Sequence, residues 1–230
     1  MLKRNSAIPV ALFCAVELIL AILLHTERGM ASRHLSFAAV VLACVFCFFY
    51  IEKSAAYIFT QSALIFTVAA DSILVYNRMD YATLAMCFFS VTQLSYAARL
   101  HAVMPRAHRP YHFAVRLLGS LVAILLVYCL AGDTADALAV ISLFYFANLL
   151  MNAVYAFVYF QKPGLFAIGL LLFVFCDIFV GFSMLGGYLS LPDTPFIRFL
   201  VSPPLNMAWV FYLPSQVLLS LSLISYKKGA

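Results

Sequence analysis

Apolar positions run along this chain in long stretches separated by short polar breaks. A bilayer core about 30 Å thick takes roughly 20 apolar residues in a helix. By that measure the pattern predicts eight membrane-spanning helices, over residues 7–24, 35–51, 55–76, 82–100, 113–131, 136–160, 165–187 and 205–225. The stretch 189–206, LSLPDTPFIRFLVSPPLN, holds four prolines and is too broken to span, so it is expected at the interface or folded back as a short helix. Lys3 and Arg4 ahead of an apolar run are signal-peptide-like. Glu17 interrupts that run, however, and no small-residue cleavage site follows Leu24, which predicts a retained first helix.

Composition agrees with the pattern. Of the 230 residues 66% are hydrophobic and 10% charged, and the mean hydropathy is +1.03, far from the values of a soluble domain. The expected fold class is therefore all-α: a polytopic transmembrane bundle of about eight spans, one domain over residues 1–230. It would be a multi-pass integral membrane protein, in the inner membrane if the chain is bacterial. The formal charge of +5 is carried by basic residues placed singly or in pairs between apolar runs, so no nucleic-acid face is expected. These residues serve instead as topology signals. Lys3, Arg4, Lys53, Arg99, Arg106, Arg109, Arg116, Lys162, Lys227 and Lys228 fall on the side of the N-terminus, against Arg28, Arg33, Arg78 and Arg198 on the other. Both termini are expected to be cytoplasmic.

Three acids, Glu17, Asp71 and Asp177, lie inside the apolar runs, and the other six lie in or beside loops. An acid at a helix centre carries an insertion cost of about 2.5 to 3.5 kcal/mol, so such residues face the bundle interior and mark function. At about 1.5 Å of rise per residue, Glu17 and Asp177 come near mid-membrane and Asp71 into the outer third. All three are expected to meet in a cavity opening outward, with no intramembrane Lys or Arg to pair with them. Polar side chains also recur on single helix faces: Tyr145, Asn148, Asn152, Tyr155 and Tyr159; Trp209, Tyr212, Gln216 and Ser220; and Ser90, Gln93 and Tyr96. Such stripes point inward, either as interhelical glue or as a site.

Several chemistries are excluded. Lys162, in a loop, is the one Lys of the late helices, and a retinal Schiff base needs a Lys inside such a helix. His25 and His34 fall on the outer side and His101, His108 and His112 on the inner, about 30 Å away, so no shared metal is expected. The inner trio with Arg106 and Arg109 suits anionic headgroups. The six cysteines, including Cys44 and Cys47 of CVFC, lie in apolar segments without basic neighbours and read as packing. No cofactor is implied, and no Gly-rich phosphate loop or nucleophile elbow is present.

The eight-span layout, the acid in FTVAADSIL, the polar TQLSYAARL one helix on, the acid in LLFVFCDIFVGF and the final YLPSQVLLS resemble the YhhN-like membrane proteins, the lysoplasmalogenase family, over most of the chain. In that family the first acid follows Gly and the second follows Ser; Asp71 and Asp177 stand at those positions behind Ala70 and Cys176. Gln93-x-x-Tyr96 replaces a usual His-x-x-Tyr, and Lys53-Ser54 a usual Lys-Pro. If the family His handles a proton, Gln93 implies an altered substrate or lost activity.

The resemblance implies a membrane lipid hydrolase that cleaves the vinyl-ether bond of lysoplasmalogens. A proton added to the alkene carbon gives an oxocarbenium ion, and water captures it. Two carboxyls in different protonation states suit this chemistry, as in glycosidases. Asp177, with the more apolar flanks, is assigned as the acid and Asp71 as the stabilising carboxylate or base; the reverse assignment satisfies the same scheme. Glu17, Gln93, Tyr96, Asn148, Asn152, Tyr212 and Gln216 would orient water and the headgroup. The expected partner is a lysophospholipid-like membrane lipid, and no oligomeric state is implied. The rival expectation is a non-enzymatic lipid or small-molecule binding protein, or a proton-coupled transporter using the same acids. A third is a structural bundle with vestigial acids.

Overall fold

The computed structural model describes residues 7–27, 29–49, 54–77, 81–159 and 164–224. Within them the chain is helical with no strand: α1 (Ala7–Thr26), α2 (Met30–Cys47), α3 (Ala55–Asn77), α4 (Ala82–Val103), α5 (Arg109–Ala131), α6 (Ala137–Tyr159), α7 (Leu165–Leu185), α8 (Pro195–Val201) and α9 (Met207–Leu221). Seven helical stretches, all but α4 and α8, are long and apolar enough to cross a membrane. α4 has the length but not the apolarity, because Ser90, Thr92, Gln93, Ser95, Tyr96 and Arg99 lie along it. All six are buried, so the polar load of α4 faces neighbouring helices and not the surroundings.

The 189–206 stretch folds as expected for a broken segment. α8 is a single short helix with Pro195 in its first turn and the Thr194 hydroxyl accepting from the Ile197 amide, and Pro203 and Pro204 follow it.

α3, α4, α6, α7 and α9 form the interior, with α4 between α3 and α6 and α7 against both α6 and α9. α1 and α2 flank this group beside α9, and α5 packs on α6. Burial follows one stripe per helix. On α5 the buried residues are His112, Arg116, Ser120, Ala123 and Val127, while Leu117, Leu118, Leu121, Val122 and Leu125 are exposed, as lipid contact would require. Cys44 and Cys47 pack in a buried cluster with Phe13, Phe46, Tyr57 and Leu64, and the Cys47 thiol donates to the Cys44 carbonyl.

The topology count needs correction at two positions. Arg99 and Arg116, counted as loop residues and therefore as cytoplasmic markers, sit within α4 and α5 and are 1% and 8% exposed. The statement that no Lys or Arg lies among the spans fails with them. Each is close enough to a helix end to look like a flanking charge, yet Arg99 bonds to Thr60 and Ser222, and Arg116 bonds to Asn148 and Asn152 of α6 besides His112 of its own helix. Lys3, Arg4, Arg28, Lys53, Arg78, Lys162, Lys227 and Lys228 lie outside the described residues.

Gly169 sets the approach of α7 to α9. A Cβ there would stand 3.0 Å from Leu219 Cγ and 3.2 Å from the Leu219 backbone nitrogen. Gly119 differs, because its Cβ would meet the movable end of Met151, with Sδ at 3.0 Å. Gly169→Ala is expected to lower stability by about 1 to 3 kcal/mol through overpacking, and Gly119→Ala by less. Thermal unfolding of the purified protein in detergent measures both.

Candidate functional site

α3 carries Asp71 on a face of small residues. Ala63 and Ala70 are fully buried, and Thr67 meets Thr92 of α4 with 3.3 Å between hydroxyls. Thr92 also donates to the Ala63 carbonyl at 3.2 Å, so α3 and α4 approach closely at this level. Asp71 is 5% exposed, and the Tyr212 hydroxyl of α9 donates to its Oδ2 at 2.6 Å.

α7 brings Asp177 to the same place. The Tyr145 hydroxyl of α6 and the thiol of Cys176 lie beside its carboxyl, and Asp71 and Asp177 are near enough for each to bear electrostatically on the same surroundings. Asp177 Oδ2 is enclosed and has no hydrogen-bond partner among the described residues. Phe173, one turn before Asp177, stands edge-on to Tyr212 at 5.2 Å and to Tyr145 at 6.4 Å between ring centroids. Trp209 meets the far side of Tyr212 at 5.2 Å. The two carboxyls are thus each held against a phenol, and one buried ring spaces both phenols. An oxygen left open on Asp177 gives the pair a point from which a proton can be delivered.

Glu17 stands apart. It is buried on the inward face of α1 with Oε1 unpartnered, and among the described residues nothing joins it to either aspartate. The remaining sequence-predicted residues separate into two groups. Tyr212 belongs to Asp71, as above. Gln93, Asn148 and Asn152 instead surround Arg116: its Nε donates to His112 Nε2 at 3.0 Å, its Nη1 to Asn148 Oδ1 at 3.1 Å and its Nη2 to Asn152 Oδ1. Asn152 Nδ2 in turn donates to the Gln93 carbonyl at 2.8 Å and to its Oε1 at 3.0 Å. Tyr96 packs edge-on against Phe166, and among the described residues its hydroxyl has no partner; both amide atoms of Gln216 are buried and likewise unpartnered there.

Arg116, His112 and Ser120 went unnoticed as inward-facing residues, although a signal was present. They recur every four residues, which is one face of a helix, opposite the stripe that carries Asn148 and Asn152. Arg99 forms a second buried cationic point, donating to Thr60 at 2.8 Å and Ser222 at 2.7 Å with its guanidinium 3.9 Å over the Phe166 ring. Among the described residues no group of three or more His, Cys, Asp or Glu is placed to hold a metal ion.

Comparison with known protein families, curated proteins and solved structures finds no match to this chain.

Tyr212→Phe removes the donor to Asp71 and keeps the ring that packs on Phe173 and Trp209. A hydrogen bond to a charged group contributes about 1.5 to 3 kcal/mol. Any turnover that depends on Asp71 is therefore expected to fall by about 10- to 100-fold, with the melting temperature little changed. Rates and unfolding measured on the same preparation check this.

Proposed function

We propose that this chain is a membrane-embedded lipid hydrolase of the lysoplasmalogenase kind, in which Asp71 and Asp177 cleave the vinyl-ether bond of a lysoplasmalogen-like lipid. In this reading the seven long apolar helices and the polar-faced α4 make eight spans, with both termini on the cytoplasmic side. The observation that carries the proposal is the closeness of two carboxyls, buried Asp71 of α3 and half-buried Asp177 of α7 with its Oδ2 enclosed, each against a tyrosine inside an apolar bundle. The local resemblance of the motifs around Asp71, Gln93, Asp177 and Gln216 to the YhhN-like proteins supplies the reaction.

Asp177, with an oxygen free of partners among the described residues, gives its proton to the alkene carbon remote from the ether oxygen, which leaves the cation on the carbon bonded to oxygen. Asp71, with one oxygen held by Tyr212, steadies the oxocarbenium ion and draws a proton from the attacking water. Collapse of the hemiacetal releases a fatty aldehyde and the glycerophospho alcohol, and the proton taken by Asp71 balances the one Asp177 gave. Asp→Glu shifts of a methylene would misplace either group, since proton transfer needs heavy atoms within about 3 Å.

Incubating the purified protein with a lysoplasmalogen and, separately, with an ordinary lysophospholipid tests the reading. Aldehyde from the first and no fatty acid from the second is the expected result; aldehyde from neither substrate sinks it. A second reading, a proton-coupled transporter, is favoured by the buried Tyr96, Ser215, Gln216 and Ser220 side chains of α4 and α9, whose polar atoms have no partner among the described residues. Uptake into vesicles that follows a pH gradient, without product formation, is its distinguishing result.

A further inference from the structure

Arg116 takes a positive charge into the bundle without a counter-charge. It lies seven residues beyond the start of α5 at Arg109, about 10 Å along the helix, and is 8% exposed. Its three hydrogen bonds all go to neutral groups, His112, Asn148 and Asn152. Among the described residues the one ion pair joins the exposed Arg198 and Asp193, and no carboxylate touches Arg116. A buried charge left uncompensated in this way is costly, and a fixed set of neutral acceptors offsets only part of the cost.

The surroundings of Arg116 are organised to hold its orientation. Asn148 Nδ2 is tied to Ser120 Oγ at 3.2 Å and to the Phe144 carbonyl at 2.9 Å, which turns Oδ1 to the guanidinium. Asn152 is fixed in the same sense by Gln93. A guanidinium has five N–H donors, so these bonds leave donors unspent. One hydrogen bond further on, Gln93 Nε2 is fully buried without a partner among the described residues, and one turn along α4 so is the Tyr96 hydroxyl. Among the described residues the cluster therefore has an excess of donors, a net positive charge and no acid. That is the complement of an oxyanion, which a planar guanidinium binds through two parallel bonds.

A run of packed rings connects it to the surface. His112 is stacked edge-on with Tyr155 at 4.5 Å and lies 5.9 Å from the exposed His101; Tyr155 stacks on Tyr159, which meets the exposed His108. Arg106 stands in the α4–α5 connection and Arg109 begins α5.

We propose that Arg116, oriented by Asn148 and Asn152, anchors a binding site for a tetrahedral oxyanion: a phosphate, either as a phospholipid headgroup or as the free ion. The lipid reading above contributes only the choice of lysolipid probe. Because the test reads binding and not turnover, failure of this site and failure of the hydrolase reading are separate results.

The full chain, purified in a neutral maltoside detergent, is titrated with lysophosphatidylethanolamine, with a monoacylglycerol of the same chain and with sodium phosphate, following the melting temperature. The lysophospholipid is expected to raise it and the monoacylglycerol to leave it unchanged. Arg116→Gln is expected to weaken lysophospholipid binding by a factor of about 10 or more, and Arg116→Lys, which keeps the charge without the fork, to bind between the two. A shift with sodium phosphate alone identifies the free ion as a ligand, and a shift with the lysolipid only assigns the headgroup; both support the site. Equal shifts by the lysophospholipid and the monoacylglycerol in the unaltered protein would overturn it, whether or not the variants fold. So would an Arg116→Gln protein that binds the lysophospholipid as the parent does, since Arg116 would then be only a tie between α5 and α6.

Discussion

Asp71→Asn and Asp177→Asn are each expected to yield a folded protein whose aldehyde release is reduced by a factor of about 100 or more, the usual contribution of a positioned acid or base. The carboxamide has nearly the volume of the carboxyl, and its oxygen can still accept from Tyr212 at position 71, so packing and the phenol contact survive. What disappears is the exchangeable proton. Among the described residues neither has a cationic partner that the change would strand, and a neutral amide is easier to bury than an acid. Stability should therefore hold or rise slightly. The two variants need assaying beside the unaltered protein at equal folded amount, judged by size-exclusion profile and melting temperature. Turnover retained by both would remove the aspartates from the chemistry. Loss in one alone would leave a single acid in the role assigned to two.

Phe173→Ala is expected to be the most damaging core substitution. Phe173 is 1% exposed and touches the rings of Phe89, Tyr145 and Tyr212 edge-on, so it spaces the two phenols that hold the aspartates. Removing a buried Phe costs about 3 to 5 kcal/mol in protein interiors, and in lipid the packing share of that loss remains because dispersion and interhelical fit drive association there. A second consequence follows from position: with the ring gone, Tyr145 and Tyr212 can turn into the space, and the aspartates lose their fixed neighbours. Both melting temperature and turnover should drop. Val180→Ala, on the same helix but 43% exposed, should change neither by much. A Phe173→Ala protein with the parent's melting temperature would mean that α7 is not held where the rings place it.

The helices were legible because what defines them is local. A run of apolar residues long enough for a bilayer, ended by polar or proline-rich breaks, is a property of consecutive positions, and α1 to α7 and α9 fall within the expected runs to within a few residues at their ends. The inward face of α6 was legible for the same reason, since Asn148 and Asn152 recur at helical spacing. Their role was not. Both amides were expected around water and a headgroup near the aspartates, whereas both turn to Arg116, an arginine 32 and 36 residues away in sequence. Glu17 illustrates a different limit. Its position along α1 predicted a depth near that of Asp177, but depth is one coordinate, and among the described residues nothing joins it to either aspartate.

By itself the sequence determined the helical class, the positions of the long apolar helices, the break at 189–206 and the burial of Glu17 and Asp71, because each follows from hydropathy and backbone chemistry over a single turn or a single span. Tertiary structure decided which buried polar groups share a neighbourhood: Asp71 with Tyr212 and Asp177, Arg116 with Asn148 and Asn152, Arg99 with Thr60 and Ser222. A charge near a helix end looks alike whether it flanks the membrane or turns inward. Only the neighbouring helices, through the hydrogen bonds they offer, make burial of that charge affordable in free energy.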